Sequence, residues 1–351
     1  FVAKRSDSGR RPQRPMQSVH PLVTFHDSPS KRARMVDRGA RMTVKPLLKI
    51  APADPRMFRR VQVWSGRIAR PASVDITSEV TTVGGVPGEK MTPAAGTTSN
   101  LTMLYLHGGG FFVGSVDSYR GLLEAFVRAT GGTVYAIDYR QLPDHPIAES
   151  VVDSIAAYID VLDRAIDRSK VVVAGDSAGG YLTMKVAELA TRRGLTAPAA
   201  LIGFSPLLSL TPERTDKSVE RIDKVREALL PPKRIDQIRS MWLPPGSVIE
   251  GFADPLHATA YISSPTHLVA VEGEFLRPEI EAFAGLLDRR GIEVDVHLWR
   301  GQIHAFPMMA DVLSDAARAV QLAADFALRQ IGEPRTMPRP PAPAPRTQTG
   351  E

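Results

Sequence analysis

Between residues 175 and 180 the chain reads Gly175-Asp176-Ser177-Ala178-Gly179-Gly180, directly after the apolar run Val171-Val172-Val173-Ala174. A serine between small residues, with a buried strand before it and a helix-competent stretch after it, fits a nucleophile held at the apex of a sharp strand-to-helix turn. Such a turn puts the serine in strained backbone space, and larger side chains at i−2 and i+2 would collide. About seventy residues earlier comes His107-Gly108-Gly109-Gly110-Phe111-Phe112, again straight after a strand-like run over 101–106. Consecutive glycines cost backbone entropy and are justified where the main chain approaches something closely. Beside a nucleophilic serine, that something is the oxyanion formed when an acyl carbon is attacked, which backbone N–H donors stabilise. The candidate donors are Gly109 and Gly110, with Gly108 and Ala178 beside them.

Taken together and in this order, the two motifs resemble those of bacterial hormone-sensitive-lipase-type carboxylesterases, a branch of the α/β-hydrolase family marked by H-G-G-G and G-D-S-A-G-G. A third stretch, 138–146 (Asp-Tyr-Arg-Gln-Leu-Pro-Asp-His-Pro), is similar to that family's D-Y-R-L-A-P-E-H-P, with Gln141, Leu142 and Asp144 departing from it. The resemblance spans roughly residues 75–330. It implies an α/β fold with a mostly parallel central sheet, helices on both faces and a helical cap, and a serine hydrolase that cleaves carboxylic esters without a cofactor.

A serine alkoxide needs a base, and the base needs an acid to fix its tautomer. In the resembled fold the chain order is Ser, then Asp or Glu, then His. Among the histidines that follow Ser177, the candidates for the base are His257, His267 and His304. His267 opens a strand-like run and His257 lies in an irregular stretch before it. His304 falls in a short loop after the strand expected over 294–299, where such architectures collect catalytic groups. Its segment resembles the family's G-x-x-H-G-F, with Ala305 in place of glycine. His304 is the candidate base. For the acid, laying 272–279 against the family's D-P-L-x-D segment puts Glu274 where the aspartate belongs, with Glu272 and Glu279 as competitors. Phe111 and Phe112, next to the glycines, are candidate substrate-binding residues.

Composition narrows the class. Apolar content of 43% and charged content of 23% are those of a soluble globule, and the chain contains no cysteine, so disulfides, thiolate nucleophiles and Cys-bearing metal sites are excluded. No apolar run is long enough to span a bilayer. The eight histidines show no local metal-ligand spacing such as H-E-x-x-H, and no phosphate-binding or dinucleotide fingerprint appears. No metal is therefore expected. The net charge of +6 is unevenly placed: residues 1–70 hold 17 Lys/Arg against 4 Asp/Glu, the remainder 27 against 34.

Residues 1–41 read as a basic, disordered extension, 42–331 as the hydrolase domain with cap elements at 42–74 and 210–245, and 332–351 as a proline-rich flexible tail. Within 42–74, Val61-Gln62-Val63-Trp64 offers apolar wall for the cap. Strands are expected over 75–83, 101–106, 133–138, 171–175, 200–204, 267–271 and 294–299, alternating with helices over 119–130, 148–166, 278–289 and 311–329. Charged amphipathic stretches over 211–230 and 234–242 interrupt the rhythm. The expected ligand is a small ester of short to medium acyl chain. Nucleic acid is not an expected partner, a homodimer is compatible with the pattern, and a cytoplasmic location is the expectation. The rival readings are a non-catalytic ligand-binding protein on the same fold, and a lactone or amide hydrolase using the same parts.

Overall fold

The computed structural model describes residues 23–46, 72–210, 228 and 232–333. Among these, nine strands form a single sheet: β1 (Val23–His26), β2 (Ile76–Val83), β3 (Val86–Pro93), β4 (Thr102–Leu106), β5 (Thr133–Ile137), β6 (Val171–Asp176), β7 (Ala200–Phe204), β8 (Thr266–Val271) and β9 (Val294–Trp299). Their order is β1-β9-β8-β7-β6-β4-β5-β3-β2. All neighbours are parallel except β2–β3 and β3–β5, so β3 alone runs against the rest. Every residue of β4, β6, β7 and β8 is buried. That is why these strands read as continuous apolar runs and not as alternating ones: both faces are covered.

The covering helices are α1 (Lys31–Gly39), α2 (Val116–Thr130), α3 (Ile147–Arg164), α4 (Ser177–Arg192), α5 (Pro232–Trp242), α6 (Arg277–Asp288) and α7 (Ser314–Gln330). Apolar side chains of α3, α4 and α6 (Ile155, Tyr158, Leu182, Phe283) pack on one face of the sheet. Those of α2 and α7 (Leu122, Phe126, Val320, Phe326) pack on the other. This is the α/β architecture with helices on both faces that the βα alternation implies. Boundaries shift where caps decide them. Helix α2 begins at Val116, three residues before the expected start, because Ser115 and Ser118 form a reciprocal capping box, and it ends where Gly131 adopts a left-handed φ of 63°. The stretch expected over 234–242 is helical, as part of α5.

Two elements run against expectation. Strand β3 was hidden by Pro87, Gly88 and Pro93, residues that normally interrupt strands. Gly88 is required there, since a Cβ would collide with the Ala136 carbonyl of β5. The second correction concerns the basic extension: within 1–41, residues 23–41 are folded. β1 adds a parallel edge to β9, pairing Val23 with Val296 through His26 with Trp299. The His26 ring stacks on Trp299 at 3.8 Å between centroids. Ser30 caps α1 through its hydroxyl, and its own N–H donates to Asp315 Oδ2 at 2.9 Å, joining α1 to the start of α7. A four-residue strand whose partner lies about 270 residues further on leaves no local pattern, and the surrounding arginines and lysines obscure it. The expectations for residues 1–22, for the apolar wall at 61–64, for 211–227 and for the tail beyond 333 lie outside the described residues.

Candidate active site

Ser177 is the first residue of α4 and follows β6 without a loop, with φ of +49°. A non-glycine residue in left-handed space is strained, and the neighbouring glycines are what permit it. A Cβ on Gly175 would collide with the carbonyls of Gly179 and Leu106, and one on Gly179 with those of Leu106 and His107. The side chain of Ser177 meets His304, whose Nε2 lies 2.9 Å from Ser177 Oγ. His304 sits in the loop after β9, braced by Ala305 in left-handed conformation (φ +53°), whose N–H donates to Ser205 Oγ. This conformation is the reason glycine would suit position 305 better than alanine.

Glu274, just beyond β8, is buried, and its two oxygens are separately engaged. Oε1 accepts the Val271 N–H and Oε2 lies 2.9 Å from His304 Nδ1, both at 2.9 Å. An ionised carboxylate only accepts, so His304 carries its proton on Nδ1 and turns the Nε2 lone pair toward Ser177. The competitors go elsewhere. Glu272 pairs with Arg300 at 2.9 Å, and Glu279 with Arg239 at 3.2 Å. His257 is exposed, whereas His267 is buried against Asp295. Of the three histidines and three glutamates that the sequence left in contention, the fold brings only His304 and Glu274 to Ser177.

The glycine loop requires a correction. Gly108 was a candidate oxyanion donor, but its N–H donates to Asp176 Oδ1 at 2.9 Å and also contacts the Tyr119 hydroxyl. Asp176 accepts two further hydrogen bonds, from Tyr105 and Tyr119. This carboxylate fastens the first glycine of the loop to the residue before the nucleophile. Burial raises its pKa to about 6, against the hydrogen bonds from Tyr119 and Tyr105. Gly109 and Gly110 lie at φ of +112° and +65°. Their N–H groups and that of Ala178, in the first turn of α4, have no backbone or side-chain acceptor among the described residues. First-turn N–H groups of a helix lack intrahelical partners and favour negative charge.

The loop is held from three sides. Tyr139 donates to the His107 carbonyl at 2.7 Å and its ring stacks on the His107 imidazole, which burial lowers to a pKa of about 4 and keeps neutral. Gln141 Nε2 donates to the Gly114 carbonyl, and the Leu142 N–H to that of Phe111. From α5, Trp242 Nε1 donates to the Gly110 carbonyl at 3.0 Å. The third motif, whose role the residue types did not disclose, thus supports the loop. So do Asp176 and Trp242, which sequence reasoning did not assign.

Phe111 and Phe112 do not stand where substrate contact was expected. Phe111 has no exposed surface and Phe112 only 2%. Phe111 meets Tyr181 and Trp242 edge-on, at 5.6 and 5.9 Å. Its φ of +67° turns the side chain into the core behind the loop, where it backs the site without facing it.

Serine, imidazole and carboxylate in series, next to three unengaged backbone N–H groups, can carry out nucleophilic attack on an acyl carbon with proton transfer and charge stabilisation. Residues 103–308 match the family described as alpha/beta hydrolase fold. An acetyl-hydrolase of Streptomyces hygroscopicus is 29% identical over 80% of this chain and 91% of its own length. Esterase LipU of Mycobacterium tuberculosis is 30% identical over 83% of this chain and 98% of its own. A solved esterase of the bacterial hormone-sensitive lipase family has a TM-score of 0.75 at 27% identity, covering 87% of this chain and 100% of that one. No helix among the described residues is long and apolar enough to cross a membrane. Sheet order, sequence relatives and structural neighbours converge, and the chain belongs to the α/β-hydrolase family.

Proposed function

We propose that the protein is a serine hydrolase of carboxylic esters with short to medium acyl chains. The observation that carries this reading is the single imidazole of His304 bridging Ser177 Oγ and Glu274 Oε2 at 2.9 Å on each side. In the proposed cycle Ser177 Oγ attacks the acyl carbon while His304 Nε2 takes the hydroxyl proton. Glu274 holds the ring and stabilises the imidazolium. The N–H groups of Gly109, Gly110 and Ala178 receive the oxyanion. His304 then protonates the departing alcohol, and water, activated by the same ring, releases the acid from the acyl-enzyme.

The preference for small acyl groups draws on two supports. The α5 helix is pinned to the glycine loop through Trp242, and Phe111 closes the space behind it, which restricts depth beside the nucleophile. One relative is named an acetyl-hydrolase. Each methylene accommodated in such a pocket is worth about 1–3 kcal/mol until the wall is reached. The direct test is covalent labelling by a fluorophosphonate probe together with hydrolysis of p-nitrophenyl esters from C2 to C16. Labelling should vanish and kcat should drop by ~10⁴ or more in Ser177→Ala. An alanine variant with full activity removes the mechanism, and a preference for C12 or longer removes the proposed substrate range.

A further inference from the structure

Away from Ser177, a second group of titratable side chains converges on the face of the sheet covered by α7. Within β9, Asp295 and His297 are two residues apart and project to the same side. In β8, His267 is the register partner of Asp295. β1 contributes His26, two positions along from Thr24, the partner of His297, and so on the same face. His267 lies near the start of β8, about 13 Å along the strand from Val271 at its catalytic end. The group is therefore separate from the triad.

We propose that His267, Asp295 and His297 bind one Zn²⁺ ion, with His26 as the outer partner that orients His297. The three donor atoms lie within 4.8 Å of one another. Asp295 offers one oxygen 3.2 Å from His267 Nδ1 and the other 3.1 Å from His297 Nε2. Charge-assisted hydrogen bonds are usually shorter, about 2.7–2.9 Å. Ligands ~2.0–2.1 Å from a tetrahedral zinc stand about 3.3 Å apart, so the two Asp295 contacts already have that spacing, while the widest separation among the donor atoms, within 4.8 Å, must draw in when the ion binds.

His267 is fully buried, and binding through Nδ1 places its ring proton on Nε2. The outer contact is of the kind a metal-bound imidazole makes: His297 Nδ1 lies 2.8 Å from His26 Nε2. With the His297 proton on Nδ1, donated to His26, the Nε2 lone pair is free for the ion. Asp295 is 29% exposed in its side chain, which gives the ion a way in and leaves the fourth position to water. The positive charges of Arg318 and Arg329 in α7 act on His26 and His267 and oppose a cation.

The test is calorimetric titration of the chelator-treated full chain with Zn²⁺, paired with Co²⁺ quenching of Trp299, whose indole stacks on His26. One ion per chain is expected. Asp295→Asn and His297→Asn should each weaken binding by at least 10-fold. His26→Phe, which keeps the stacking on Trp299, should weaken it by about 10-fold as an outer-partner loss. Circular dichroism confirms that each variant is folded, and the more exposed Asp295 is the substitution least costly to the core. Absence of saturable binding at one equivalent overturns the proposal. So does binding that Asp295→Asn and His297→Asn leave unchanged, since the ion would then sit on other histidines.

Discussion

Glu274→Gln isolates the role proposed for the acid, and the two hydrogen bonds of Glu274 set the size of the effect. The carboxylate serves two donors at once, the Val271 N–H and the Nδ1–H of His304. Glutamine has one acceptor oxygen and one NH₂, so one donor must lose its acceptor. Turning the amide oxygen to His304 preserves the productive tautomer but leaves the buried Val271 N–H facing an NH₂, at a cost of about 1–3 kcal/mol. Turning the oxygen to Val271 costs almost nothing, because a neutral imidazole can accept on Nδ1. It then carries its proton on Nε2 and points a donor at Ser177. The productive arrangement is left with roughly 0.6–20% of the population, a loss of about 5–150-fold. Removing the negative charge opposite the imidazolium lowers the rate further, toward the ~10⁴-fold limit seen when an acid of this kind becomes an amide. A kcat loss of about 10³–10⁴ on p-nitrophenyl acetate at pH 7, with an unchanged thermal midpoint, is the expected result. Glu272→Gln and Glu279→Gln should stay near wild type, because those side chains serve Arg300 and Arg239. A Glu274→Gln variant within about 5-fold of wild type would refute the reasoning.

Trp242→Phe keeps an aromatic ring beside Phe111 but deletes the hydrogen bond to Gly110; a neutral bond worth about 0.5–1.5 kcal/mol predicts a 2–10-fold drop in kcat, and unaltered ester kinetics would show that the loop is held without it. The native state binds the Asp176 proton more tightly than the unfolded chain, its pKa being raised from 3.8 to about 6. Stability should therefore be fullest below about pH 4 and fall by ~3 kcal/mol as pH rises to about 6; urea unfolding of wild type and Asp176→Asn across that range should diverge, and parallel pH profiles count against the assignment. Deleting residues 1–40 removes β1 and the Ser30–Asp315 contact, so the thermal midpoint should fall, and an unchanged midpoint would mean that this edge adds no net stability.

Much of the architecture was readable because buried parallel strands announce themselves as apolar runs, and β7 and β9 fall where the runs do. The residues meeting at Ser177 were readable for a related reason: strand ends deliver side chains to one rim of the sheet, and His304 and Glu274 each follow a strand directly. What escaped depends on partners distant in sequence. A run of three glycines says that the main chain comes close to something, but not that the first N–H is already spent on Asp176. Two phenylalanines after the loop suggest an apolar wall, yet the positive φ of Phe111 reverses its direction, and no residue type encodes that. Spacing along the chain also kept His267 apart from Asp295 and His297, which meet only through the register of β8 on β9.

The position of β1 has a consequence for the growing chain. β1 forms one edge of the sheet and β2 the other, eight strand spacings or about 38 Å apart. The neighbour of β1 is made some 270 residues later. At a synthesis rate of about 5–20 residues per second, β1 waits roughly 15–55 s for the strand it pairs with. Until then the edge that β9 will present does not exist, and once β9 emerges its outer N–H and C=O groups stand open until β1 returns to cover them. The sheet closes from its two ends in time as well as in space, and β1 seals the edge that β9 has just completed.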